Sequence, residues 1–371
     1  MNRNIKLVFS TMMITALCFG YAKKYIPLDR FDFERLHIFL FNLCTGGTIL
    51  LAYTEQLDRL SPRVITFLVL SLVYALSAFF NAYPVTITLS LAMFAIVESI
   101  RIRRFSFFPK AFFTLRVPVS EKFHQASLLC LSIGILMASC IIINNEYGRW
   151  VVMEKLALNT FFLGFSFPLS LITLSVIFSM IQAPRDSLTG ILAVICFWVI
   201  NLGVIIFFVF ILFERFYPQI VVTSALFIAV ITVFTLYVRL GQELQQKQFL
   251  SSGIGFLIMT AVSGIAYILL QMSPGYDPVR TKWLLSFHTF ASLYGWNLCG
   301  LSVICRYKDF PIRLHSGTVI GIHWLTALVL APLGMVFPFV ALLAVAGYMF
   351  IVLTLFFSMG TRVIYGRESK A

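Results

Sequence analysis

Charge is scarce in this chain. Asp, Glu, Lys and Arg together make up 12% of its 371 residues, against about 25% in a soluble globular domain. Hydrophobic residues reach 60%, 39 of them Phe, which leaves too little polar surface for a water-facing exterior. No Asp or Glu lies near the middle of any long apolar run; Glu98, Glu154 and Glu214 stand at run ends. Ion-coupled carriers and proton pumps keep a buried charge as the coupling site, so this absence argues against both. The seven cysteines form no CxxC pair, which removes a disulfide framework and a zinc or iron–sulfur site. The first apolar run lacks a small-residue cleavage site and reads as a mature helix, not a signal peptide.

What is there is a series of apolar runs bounded by charge, Pro or Gly. Twelve predicted helices cover 5–22, 36–53, 64–80, 84–100, 125–143, 156–181, 188–213, 219–238, 251–271, 283–305, 316–333 and 337–359. Twelve spans of about 20 residues leave about 130 for loops and tails, too few for a soluble catalytic domain. The expected fold is therefore all-α, a single transmembrane domain over residues 1–371, with any function inside the bundle.

The net charge of +13 reads as topology and not as nucleic-acid binding, because the basic residues cluster between the runs. The amino terminus, the even-numbered connections and the carboxyl tail hold 19 Lys and Arg, the odd-numbered connections 9. The positive-inside rule predicts a multi-pass protein of the inner (plasma) membrane with both termini cytoplasmic. The segment 101–122 carries six cations against Glu121 alone and is expected to lie on anionic lipid.

Five histidines are present. His124 and His315 fall at water boundaries and are expected to be solvated. His37, one residue into the second helix, and His288, five into the tenth, both begin on the outer side under this orientation. Their imidazoles then lie within roughly 10 Å of one boundary. Two neutral imidazoles at matched depth on facing helices are able to clamp an iron porphyrin, with Arg35 and Lys282 positioned for its propionates. Hydrogen-bonded structural histidines are the alternative. His323, near the midplane, is a core histidine or a second metal contact. Asn42, Asn159, Asn201 and Asn297 are expected to bond between helices, and Trp150 and Trp283 to sit in the interfacial belt.

The second helix runs Arg35-Leu36-His37 and then, nine and ten residues after the histidine, Gly46-Gly47, followed by Leu50 and Tyr53. It resembles helix 2 of the catalytic subunit of haem-copper oxidases, the C-type enzymes above all, where such a histidine ligates low-spin haem b. The tenth reads Ser286-Phe-His288-Thr-Phe290-Ala-Ser-Leu-Tyr294-Gly295-Trp296. It is similar to the oxidase motif His-x-His-x4-Gly-Trp/Phe, whose first histidine serves the high-spin haem and whose second serves the low-spin haem. Counted from Gly295-Trp296, His288 falls on the first and Phe290 on the second; counted by role, His288 is the second. The resemblance implies haem b, with His37 and His288 as metal ligands and Arg35, Lys282, Gly295 and Trp296 around it, and partner subunits for haem or electron transfer. It implies no copper. The copper histidine positions hold Leu158-Asn159 in helix 6 and Cys196-Phe197-Trp198 in helix 7, so oxygen reduction does not carry over. Three readings follow: haem-based electron transfer or sensing, a cofactor-free transporter or small-molecule binding bundle, and an assembly subunit.

Overall fold

A computed structural model describes residues 3–26, 32–56, 59–153, 155–156, 160–182, 184, 186–244, 246–307, 309–311 and 317–359. Eleven helices among them are long and apolar enough to cross a membrane, the composition of a multi-pass bundle. In chain order they are α1 (Arg3–Tyr25), α2 (Phe33–Glu55), α3 (Pro62–Phe79), α4 (Tyr83–Arg104), α5 (Val119–Gly148), α6 (Leu163–Met180), α7 (Leu188–Leu212), α8 (Phe216–Leu240) and α9 (Lys247–Gln271). After α10 come α11 (Gly317–Gly334) and α12 (Pro338–Phe357). The tenth expected span, 283–305, corresponds to α10 (278–305), one continuous helical stretch that falls outside the eleven. Ser286, His288, Ser292, Tyr294 and Asn297 lower its apolarity. No strand forms among the described residues; one backbone bridge joins Ile181 to Gly241 at the ends of α6 and α8.

Local chemistry sets the ends. The Ser61 and Ser187 hydroxyls accept from the first turns of α3 and α7, and Asp277 caps α10 by accepting from the amides of Val279 and Arg280. Pro62 and Pro278 occupy first-turn positions, where a missing N–H costs nothing. Gln56, Asn81, Arg149 and Glu214 adopt left-handed backbone just past α2, α3, α5 and α7, closing those helices without glycine.

The helices pack mostly against their sequence neighbours, in the orders α4–α5–α6 and α7–α8–α9–α10, while α12 returns to α1. Burial sorts centre from rim: 83% of the α2 window and 78% of the α6 window lie inside the bundle, against 22% for α7. The α5–α6 crossing is close enough that a Cβ on Gly134 would sit 2.2 Å from the Gly164 Cα. Among the described residues five stretches widen from α to π geometry, including Phe39–Gly47 in α2, Ala291–Asn297 in α10 and Leu325–Leu330 in α11. π turns recur at functional sites because they break the regular ladder and re-aim side chains. Three of these five lie in the helices that carry His37, His288 and His323.

Candidate functional site

His37 projects from α2 onto α1 and α10. Its Nδ1 lies 2.8 Å from the Ala16 carbonyl oxygen and 2.9 Å from the Tyr294 hydroxyl. A carbonyl only accepts, so the hydrogen-bond pattern assigns the proton to Nδ1 and leaves Nε2 with its lone pair. Nε2 has no hydrogen-bond partner among the described residues. Gly20, one turn beyond Ala16, makes room for the ring: a Cβ there would lie 3.0 Å from His37 Nδ1.

His288 is seated in the same way on a different neighbour. Its Nδ1 lies 2.9 Å from the Thr260 carbonyl of α9 and 3.3 Å from the Ser263 hydroxyl. Gly264 stands one turn beyond Thr260, and a Cβ on it would meet His288 Cε1 at 3.2 Å. Each imidazole thus rests on a carbonyl at position i and a glycine at i+4 of the adjoining helix. In both, Nδ1–H is fixed and Nε2 is the basic nitrogen, the tautomer that metal-ligating histidines commonly adopt.

The contacts do not pair the two histidines. His37 meets Tyr294, whose ring also packs on Phe41, Phe290 and Tyr348. Phe290 in turn lies 6.2 Å from the Tyr21 ring of α1. Phe290 therefore shares the α1 side of α10 with His37, whereas His288 turns to α9. Tyr294 is the residue that sequence reasoning missed. Its hydroxyl reaches His37, and its carbonyl, inside the π turn of α10, accepts from His323 Nε2 at 2.7 Å. With Nε2 protonated, His323 Nδ1 is the acceptor facing Cys299 Sγ at 4.0 Å. His323 is a fully buried, hydrogen-bonded core histidine, its ring 4.7 Å from that of Phe256.

The flanking residues divide. Arg35 pairs with Asp32 at 2.9 Å and lines a cavity of about 70 Å³ with Tyr74, Tyr83, Thr86, Asn145 and Glu146. Lys282 is exposed in the first turns of α10. Gly295 lets α9 approach, since a Cβ there would overlap the Phe256 ring at 2.5 Å. Trp296 donates from Nε1 to Ser170 at 2.9 Å, tying α10 to α6. Gly46 serves the α2–α6 contact, its would-be Cβ 2.5 Å from a Leu169 methyl.

Several expectations need correction. His124 is buried and not solvated: Thr54 Oγ1 of α2 lies 2.8 Å from its Nε2, and the ring of Phe105, just past α4, lies 5.3 Å from its own. Asn201 bonds within its own helix, to the Phe197 carbonyl, and the Asn42 side-chain oxygen is buried without a partner among the described residues. Asn297 does bond between helices, to Ser166 and Ser170 of α6, and Trp150 and Trp283 are exposed. Cys196 directs its thiol to the Ala229 carbonyl at 3.8 Å. His315 and Leu158-Asn159 lie outside the described residues. No group of three or more His, Cys, Asp or Glu positioned for a metal ion occurs among the described residues.

No family model matches the chain, and no curated protein or solved structure matches it either.

Proposed function

We propose that this chain is a haem b membrane protein of oxidase-like helix order, in which His37 and His288, on opposite flanks of α10, would each hold haem iron separately through Nε2. The observation that carries the reading is the shared seat: two imidazoles, each held by Nδ1–H on a neighbouring carbonyl over a glycine, each keeping Nε2 for a metal. The donor chemistry fits iron. Because the two ring nitrogens point in nearly opposite directions, each Nε2 faces away from its carbonyl anchor. Tyr348 adds a buried hydroxyl without a partner among the described residues, beside the Tyr294 ring.

One iron clasped by both histidines fits less well, since Phe290 and Tyr294 occupy the α1 side that faces His37. Counting the tenth-helix motif from Gly295-Trp296 agrees with this: Phe290 stands in for the low-spin ligand and His288 takes the other position. Bound haem would supply one-electron transfer or capture of a small ligand. The protein's own part is to hold the imidazole tautomers and to exclude water with the aromatic cluster. Lys282 is the cation for propionates in this reading, whereas Arg35 is paired with Asp32 and turns toward Tyr74 and Glu146, away from the α1 and α10 contacts of His37. Both termini face the cytoplasm in this reading, which reporter fusions at the two tails test directly. The site itself is tested by a reduced-minus-oxidised spectrum of the purified protein. Haem b bands of five-coordinate, high-spin character are expected; a spectrum without haem overturns the reading, and a bis-histidine low-spin spectrum overturns the single-ligand assignment.

A further inference from the structure

The connection between α4 and α5 does not project into water. Two buried cations pin it by its carbonyls: Arg101 donates to Ser106 and Phe107 at 3.0 and 3.1 Å, and Lys122 Nζ donates to Phe112 at 3.1 Å. Phe112 packs on Phe197 and Phe113 on Trp198, at ring distances of 5.3 and 5.4 Å. Those partners lie nine and ten residues beyond the start of α7, or about 14 Å along its axis. The loop, with its four-residue helix Lys110–Phe113, is thus folded back along a membrane-spanning helix.

Held in that position, Phe107, Phe108, Phe113 and Leu115 are 64–78% exposed. Arg103, Arg104 and Lys110 are exposed beside them and make no ion pair among the described residues. No acidic residue occurs between Glu98 and Glu121, and Glu98 is taken by Arg101 at 2.6 Å. Outward aromatics interleaved with uncompensated cations, on a loop braced against a bilayer helix, match the boundary between acyl chains and phosphates.

We infer that residues 103–115 form a binding site for an anionic phospholipid, with Phe107, Phe108, Phe113 and Leu115 among the acyl chains and Arg103, Arg104 and Lys110 on the phosphate. A juxtamembrane cation contributes about fivefold to binding of an anionic membrane surface. The test is native mass spectrometry of the full chain in detergent, titrated with phosphatidylglycerol or phosphatidylcholine. Phosphatidylglycerol is expected to bind at least about tenfold more tightly, and the R103Q/R104Q/K110Q variant to lose that preference. The F107S/F108S variant, which spares the Phe113–Trp198 contact, is expected to weaken both lipids. Raising salt to about 0.5 M on the unaltered chain should remove the phosphatidylglycerol preference as the triple variant does, and needs no mutation. Equal affinity for the two lipids, or an unchanged preference in a triple variant of normal helicity, overturns the proposal.

Discussion

Gly20→Ala probes the histidine seat at its tightest point. The added Cβ would sit 3.0 Å from His37 Nδ1 and 3.2 Å from Cε1, closer than a carbon comfortably approaches either atom. The imidazole has little room to yield, being held by Ala16 at 2.8 Å and Tyr294 at 2.9 Å. A shift of a few tenths of an ångström lengthens both bonds. An interhelical bond of this kind in a membrane averages about 0.6 kcal/mol, and overpacking adds about 1–3 kcal/mol. Against that stands about 1 kcal/mol of helix propensity gained on replacing Gly by Ala, a figure for water that overstates the gain in lipid. The net expectation is destabilisation of about 1–2 kcal/mol. Gly321 in α11 supplies the control, because no atom beyond its own helical turn lies within 4 Å of a Cβ placed there among the described residues. Gly321→Ala should be neutral or slightly stabilising. Unfolding free energies from steric trapping or SDS titration, measured for both variants side by side, decide the matter. A Gly20→Ala protein as stable as Gly321→Ala would refute the argument that the glycine exists to admit the ring.

Tyr294→Phe removes one of the two oxygens on His37 Nδ1 and keeps the aromatic packing. A double-mutant cycle with His37→Phe should return a coupling of about 0.6–1.7 kcal/mol, and a coupling near zero would mean that the Ala16 carbonyl alone holds the ring. Gly134→Val drives side-chain carbon into the Gly164 backbone, which has no rotamer to adjust, so the α5–α6 crossing must open; the loss should exceed that of Gly20→Ala in the same assay. The Lys155 ammonium, from the connection between α5 and α6, lies 2.8 Å from Glu214 in the connection between α7 and α8 and, first as hydrogen-bond donor and then by its charge, holds that carboxyl below its usual pKa. The lowered folded-state value places any stabilisation at neutral pH and removes it as pH falls through the acid range. Glu214→Gln and the unaltered chain should therefore differ most at neutral pH and converge in acid; divergence on acidification would reverse the sign.

The spans were legible in the sequence because lipid exposure demands long apolar runs; Ser187 caps the expected start at 188, whereas the tenth helix begins at Pro278, capped by Asp277, five residues before its apolar run does. His37 and His288 stood out for a related reason, as polar rings in apolar company. Their seats did not. Each depends on a carbonyl and a glycine of another helix, and nothing in the spacing of α1 or α9 announces which carbonyl will be used. Tyr294 was hidden in the Gly-Trp motif as an unremarked position; its double contact arises from the π turn of α10, which period-3.6 reasoning does not foresee. His124 was misjudged because its burial is tertiary, coming from Tyr53 and Thr54 of α2 and from Phe105 just past α4. Asn201 shows the same limit in miniature, since an amide inside a span satisfies itself within its helix as readily as across an interface.

The most direct measurement is haem content per chain by pyridine haemochrome, in the unaltered protein and in His37→Ala and His288→Ala, each purified in the same detergent. Haem b in the unaltered chain, with each substitution removing part of it and the double substitution removing all, is the predicted result. A chain free of haem after expression with ample haem supply, or haem that survives the double substitution, would contradict the account.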